Sequence, residues 1–68
     1  ADLTNTNLTN ADLRNSILAD ANLSNAILRG ADLTNVVLSG ANLHGANLEN
    51  AILTGTILNC KNHPICED

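Results

Sequence analysis

The chain has 68 residues, a formal net charge of −4 and no Phe, Trp, Tyr or Met, so we expect one domain with a core of Leu, Ala, Ile and Val. Its three basic side chains, Arg14, Arg29 and Lys61, are far apart in the sequence, which argues against the clustered positive charge that nucleic-acid binding needs. No segment approaches the about 20 apolar residues of a membrane-spanning helix, so we expect no membrane insertion.

Leucine occurs at every fifth position from Leu3 to Leu58, twelve times in all, and nowhere else in the chain. A period of five matches neither the roughly 3.6-residue period of a helix nor the two-residue period of a strand. It therefore predicts a small structural unit that repeats and stacks. Written in fives, the repeats are ADLTN TNLTN ADLRN SILAD ANLSN AILRG ADLTN VVLSG ANLHG ANLEN AILTG TILNC.

Each position within the repeat has its own character. The first residue is usually Ala and the third is always Leu, and alternation in extended backbone places both on the inner side, with the second residue outside. The fifth residue is Asn, Asp or Gly in the first eleven repeats, and these residues tolerate the positive φ that a type II turn requires. We therefore predict short extended sides separated by tight corners.

A weaker period of twenty residues indicates how many corners close one coil. The β-branched second-position residues Ile17, Val37 and Ile57 are twenty residues apart, whereas Ile27 and Ile52 do not follow this spacing. Corners near a right angle also close after four sides. We therefore predict three coils of four repeats, residues 1–20, 21–40 and 41–60, stacked at the about 4.8 Å spacing of neighbouring strands.

The A(D/N)LXX pattern over residues 1–60 resembles that of the pentapeptide repeat family. The resemblance implies an all-β fold, a right-handed quadrilateral parallel β-helix. It implies less about function, because the family is a scaffold with varied roles. Some of its members mimic DNA and inhibit topoisomerases, and many cyanobacterial and chloroplast members are found in the periplasm or the thylakoid lumen.

Two aspartates are the first candidates for chemistry. Asp12 and Asp32 fall on the same predicted face, one coil apart, where paired carboxylates could bind a metal or act as an acid/base pair. We favour the simpler interpretation of solvated surface groups, with Arg14 nearby. No catalytic constellation is apparent and a leucine-filled core leaves no substrate pocket, so we expect no enzymatic activity and no cofactor.

The segment after the repeats, residues 61–68, is predicted to be a capping tail. Cys60, His63 and Cys66 supply three potential zinc ligands, but a structural zinc site uses four, and nothing in the spacing directs His44 toward them. We therefore favour a disulfide between Cys60 and Cys66, with no bound metal. It would tie the tail back so that Pro64 and Ile65 cover the last leucine layer.

One face is predicted to be the most apolar part of the surface. It carries Ile17, Val37 and Ile57 at second positions, together with their preceding residues Ser16, Val36 and Thr56. Branched residues suit an extended stack without any partner. The alternative is an interaction face formed by Ile17, Val37 and Ile57.

We therefore expect a non-enzymatic structural or interaction module with a protein partner that the sequence does not identify. The alternative is an acidic DNA mimic that inhibits a topoisomerase, although three coils span only about 14 Å and second-position acids are few, namely Asp2, Asp12 and Asp32. The first leucine layer has no visible cover, so we expect an end-to-end homodimer or a capping segment. A disulfide also favours an oxidising compartment, the periplasm or thylakoid lumen.

Overall fold

The computed structural model describes residues 2–67, which wind into three stacked coils at residues 2–20, 21–40 and 41–60. The fold is a right-handed quadrilateral β-helix, as the sequence predicts. Each side contributes one bridging residue rather than a continuous strand, and the described residues contain no helix. The parallel bridges are Asp2–Asn22, Asn7–Ile27, Asp12–Asp32, Ile17–Val37, Asn22–Asn42, Ile27–Asn47, Asp32–Ile52, Val37–Ile57 and Asn42–Lys61.

The corners form where the sequence places Asn, Asp or Gly. The first eleven fifth positions all have positive φ, between 60 and 65° at Asn and Asp and between 67 and 73° at Gly. The backbone N–H of the next residue donates to the preceding leucine carbonyl, as from Thr6 to Leu3 at 3.1 Å. This bond closes the predicted turn, with the left-handed residue at its third position.

A repeating set of backbone hydrogen bonds joins one coil to the next. The leucine N–H donates to the second-position carbonyl of the following coil, as from Leu23 to Asn42 at 2.8 Å. The fifth-position N–H donates to the fourth-position carbonyl of the following coil, as from Asn25 to His44 at 2.7 Å. In return, the N–H of Asn42 donates to the carbonyl of Ala21 at 2.9 Å. Three bonds per side therefore fix the twenty-residue register.

The core is a stack of leucine layers lined with alanine. Leucines of the second coil are fully buried, whereas those of the first coil are only partly buried because residues 2–67 place no further coil above them. In the third coil Leu43 is fully buried and the other three are partly buried. The fully buried leucines are Leu23, Leu28, Leu33, Leu38 and Leu43.

The structure corrects one detail of the predicted apolar face. Val36 is fully buried and packs in the core, and Thr56 turns its hydroxyl inward to donate to the carbonyl of Leu33 at 2.8 Å. First-position residues therefore line the interior even where they are larger than alanine. The outward apolar residues of this side are Ile17, Val37 and Ile57.

The last corner differs from the others because Cys60 occupies its fifth position. Cys60 lacks the positive φ of the other corners and is buried among core residues. Lys61 consequently pairs with Asn42 at a separation one residue shorter than in the other bridges. The chain thus leaves the twenty-residue register where the corner residue can no longer adopt the left-handed conformation without strain.

Membrane insertion would require a long apolar helix. Within residues 2–67 no helix is long and apolar enough to cross a bilayer.

Replacing a leucine of the middle layer should cost far more stability than replacing an outward residue. We expect Leu33→Ala to lower the free energy of unfolding by about 2–5 kcal/mol, because the stacked coils cannot collapse around the gap. The matched control, Thr54→Ala on the same side, should cost less than about 0.5 kcal/mol. Chemical denaturation measures both changes, and equal losses would contradict the assignment of inner and outer positions.

Candidate interaction surface

The four sides present four outward faces, each a column of second-position residues running through the three coils. We call them by number in chain order. The first face carries Asp2, Asn22 and Asn42; the second carries Asn7, Ile27 and Asn47; the third carries Asp12, Asp32 and Ile52; the fourth carries Ile17, Val37 and Ile57.

Most second-position residues have a structural role that the sequence analysis does not predict. Their side-chain oxygen accepts the backbone N–H two residues later, as from Thr4 to Asp2 at 3.1 Å and from Ser24 to Asn22 at 3.0 Å. A hydroxyl at the fourth position donates to the same oxygen, as from Thr4 to Asp2 at 2.6 Å. Asp and Asn are thus favoured here because they satisfy the corner backbone. In the sequence, this role is indicated by the frequent Thr or Ser at the fourth position of repeats whose second residue is Asp or Asn.

The third face contains the aspartates considered as a metal or acid/base site. Asp12 and Asp32 are bridged across the first two coils, as predicted. Arg14 donates through Nε and Nη2 to the two carboxylate oxygens of Asp12, both at 2.8 Å, and its Nε lies 3.9 Å from Oδ2 of Asp32. The side-chain hydrogen bond from Arg14 lowers the pKa of Asp12 from 3.8 to about 2. Arg14 thus neutralises much of this acidic pair.

The second face carries an exposed ion pair and a shallow surface groove. Nε of Arg29 lies 3.2 Å from Oε1 of Glu49, one coil below. The groove has a volume of about 320 Å³ and lies at a corner, outside the leucine core. Its lining residues are Thr9, Asn10, Arg29, Gly30 and Asn50.

The fourth face differs from the others in all three coils. Its second-position residues are β-branched hydrocarbons, which offer no acceptor to the corner backbone. Ile17 is 77% exposed and Ile57 is 48% exposed, while Val37 between them is half-buried. Ile27 and Ile52 are also exposed, but each stands alone on a face that carries charged groups. A continuous apolar stripe therefore occurs on the fourth face.

The tail folds under the third coil. Cys60 and Cys66 form a disulfide, with their Cα atoms 5.0 Å apart, and Ile65 packs against the leucine core while Pro64 remains exposed. The Ile65 N–H lies 3.3 Å from Nδ1 of His63 and donates to it. Nε2 of His63 therefore carries the hydrogen and donates it to the Ala46 carbonyl at 3.0 Å.

The two cysteine sulfurs are bonded to each other, so they are not ligands for zinc here. In the part of the chain that the structure describes, no group of three or more His, Cys, Asp or Glu side chains is arranged to hold a metal ion. His44 lies on the first face, where its backbone N–H donates to Oδ1 of Asn42 at 3.1 Å.

A family model matches most of the chain. The model for pentapeptide repeats matches residues 1–35 and 16–55, with eight copies of the repeat. No curated protein sequence matches the chain at a significant level.

Three solved structures with the same fold are from cyanobacteria. A pentapeptide repeat protein (Rfr23) of Cyanothece 51142 is 46% identical, with 93% of this chain aligned to 48% of that one and a TM-score of 0.54. The pentapeptide repeat protein alr5209 of Nostoc PCC 7120 is 38% identical, with 88% aligned to 64% and a TM-score of 0.57. HetL of Nostoc sp. strain PCC 7120 is 27% identical, with 88% aligned to 35% and a TM-score of 0.51. The chain thus spans less than two thirds of each.

The Arg14–Asp12 pair predicts a pH dependence of defined sign. The pKa of Asp12 is lowered in the folded state, so its contribution to stability is present above about pH 4 and is lost as the pH falls toward 2. We expect Arg14→Ala to raise the pKa of Asp12 toward its ordinary value in a carboxyl NMR titration. Asp2 is the control, because its pKa is lowered by hydrogen bonds from Thr4. An unchanged pKa of Asp12 would refute the assignment.

The disulfide should hold the tail against the last coil. We expect Cys66→Ser to lower the free energy of unfolding by about 2 kcal/mol, because the unfolded chain loses a constraint on a short loop. Adding a reductant should lower the free energy of unfolding of the wild-type protein by a similar amount and leave that of the variant unchanged. Intact mass should rise by about 2 Da on reduction of the wild type, and two free thiols in unreduced protein would contradict the bond.

Proposed function

This chain belongs to the pentapeptide repeat family, and from that premise we propose that it is a non-enzymatic module that binds a protein partner through its fourth face. The observation that carries the proposal is the stripe of Ile17, Val37 and Ile57, which runs through three successive coils with both isoleucines exposed and Val37 half-buried between them. Removing exposed branched apolar side chains from water lowers the free energy of a complex.

The local chemistry of the fourth face supports this choice. Asp or Asn at a second position would accept a corner N–H, as Asn22 does on the first face. The fourth face gives up that hydrogen bond in all three coils. The bridges alone do not require this, because Asp and Asn bridge equally well on the first face. A role of the stripe in binding accounts for the presence of Ile and Val where the first face has Asp and Asn.

The arrangement of the interior supports a binding role over catalysis. Leucine and alanine fill the centre of the second coil, and the groove described above lies at a surface corner. HetL, one of the similar structures, is described as involved in the regulation of heterocyst differentiation. A regulatory role of that kind is compatible with binding.

The charge distribution favours a protein partner over the DNA-mimic alternative. Second-position acids lie at Asp2, Asp12 and Asp32, and Arg14 pairs with two of them. A mimic needs regularly spaced negative charge that a DNA-binding enzyme can contact. A face whose acids are paired with an arginine supplies little of it.

We further propose that the protein works in an oxidising compartment, the periplasm or the thylakoid lumen. The Cys60–Cys66 disulfide supports this, because such bonds persist where thiols are not kept reduced.

Asparagine at the stripe positions provides a test that preserves the fold. Asn already occupies second positions at Asn7, Asn22, Asn42 and Asn47. In capture from a native extract, we expect I17N/V37N/I57N to lose the partner that the wild-type protein retains. The matched control, I27N/I52N, removes exposed isoleucines from the second and third faces and should retain it. If the wild-type chain, the triple variant and the control variant all retain the same proteins, the proposal is refuted.

A further inference from the structure

We infer that the fourth face binds a second copy of this chain, forming a weak two-fold dimer in which the two apolar stripes lie against each other. This inference rests on the proposed function, because it assigns a partner to the same face. Three properties of that face support it, namely its charge, its symmetry and its size.

Charge separates the fourth face from the rest of the surface. Its outward second and fourth positions, Ile17, Ala19, Val37, Ser39, Ile57 and Asn59, include no charged side chain. The first face carries Asp2 and, next to Asn42, Lys61; the second carries Arg29 and Glu49, and the third carries Asp12, Arg14 and Asp32. Two copies that each have a net charge of −4 repel, and the outward positions of this face bring no charged side chain to the contact. Its charged neighbours are Asp20 at one corner and Glu67, whose backbone N–H donates to the carbonyl of Leu58.

The stripe is also complementary to itself. It reads Ile, Val, Ile in either direction through the coils. A two-fold axis through its centre places Val37 opposite the partner's Val37, whether the stripes run in the same or in opposite directions. In both arrangements the outer isoleucines contact isoleucines of the second copy. An isologous contact requires this kind of self-complementary patch.

The size of the face sets the strength of the dimer. The molecule measures 25 × 24 × 21 Å, so one face buries at most about 500 Å² per copy. The total is at the low end for specific protein interfaces. The dimer is therefore a reversible one that forms at high protein concentration.

Sedimentation over a concentration series tests the dimer with the same variants. We expect the wild-type chain to associate reversibly, with a dissociation constant below about 1 mM. I17N/V37N/I57N should raise that constant at least about tenfold, and I27N/I52N should change it by less than about twofold. A chain that stays monomeric to about 1 mM overturns the inference, as does equal association of all three proteins, which would place the contact elsewhere, such as at the coil ends.

Cross-linking provides an independent readout of the two-fold contact. With the native disulfide intact and dissolved oxygen as the oxidant, Val37→Cys should form an intermolecular disulfide through its added thiol faster than Ile27→Cys, because the two thiols meet at the axis. Adding I17N and I57N should remove the difference. Equal rates for both cysteine variants would overturn the inference.

The outcomes for the dimer and for the proposed function can be told apart. A monomeric wild type, combined with partner capture that depends on the fourth face, rejects the dimer and keeps the interaction module. Failure of the stripe variants to alter either measurement rejects both.

Discussion

The structure depends on one backbone constraint, the left-handed conformation at the end of each repeat. A residue with positive φ turns the chain sharply, and four such turns bring it back directly below its starting point. Most L-residues pay a steric cost in this conformation, while Gly, Asn and Asp adopt it readily. At Gly40 the carboxylate of Asp20 occupies the space that a Cβ would fill, so stacked corners also restrict each other. The twenty-residue register, the leucine layers and the four faces all follow from these corners.

The corners also separate the tasks of the inner and outer residues. Inner positions are nearly uniform, because each leucine must match the leucine above and below it in a closely packed stack. Outer positions do not have to pack against matching side chains in this way, so the residues of each face can vary independently. On the third face, Arg14 pairs with Asp12, and on the second face, Arg29 pairs with Glu49. The fourth face carries branched hydrocarbons instead of polar groups at its second positions. Differences in recognition among such proteins can therefore arise without any change in the core.

Much of this organisation could be predicted from the sequence, because the spacing of residue types within a repeat indicates which positions are buried and where the chain turns. Leucine spacing predicts the layers, the fifth positions predict the corners, and Ile17, Val37 and Ile57 indicate four sides even though Ile27 and Ile52 deviate. The hydrogen bond from Thr4 to Asp2 could not be predicted from alternation, which says only that a side chain points outward. The contact between His63 and Ala46 depends on how a non-repeating tail folds, and no periodicity describes that.

The hydrogen bonds between coils give the stack a polarity. Toward the first coil, each side offers two carbonyl oxygens and one N–H, as Asn42 and His44 do through their carbonyls; toward the last coil, each side offers two N–H groups and one carbonyl. Two identical ends brought together could pair only part of their groups, because both carry an excess of carbonyl oxygens or both carry an excess of N–H groups. Joining unlike ends satisfies every group, so this is the favoured orientation for a further layer, from the same chain or another. A rod built in this way has a fixed direction, and in this chain the folded tail lies beneath the end that carries the excess of N–H groups.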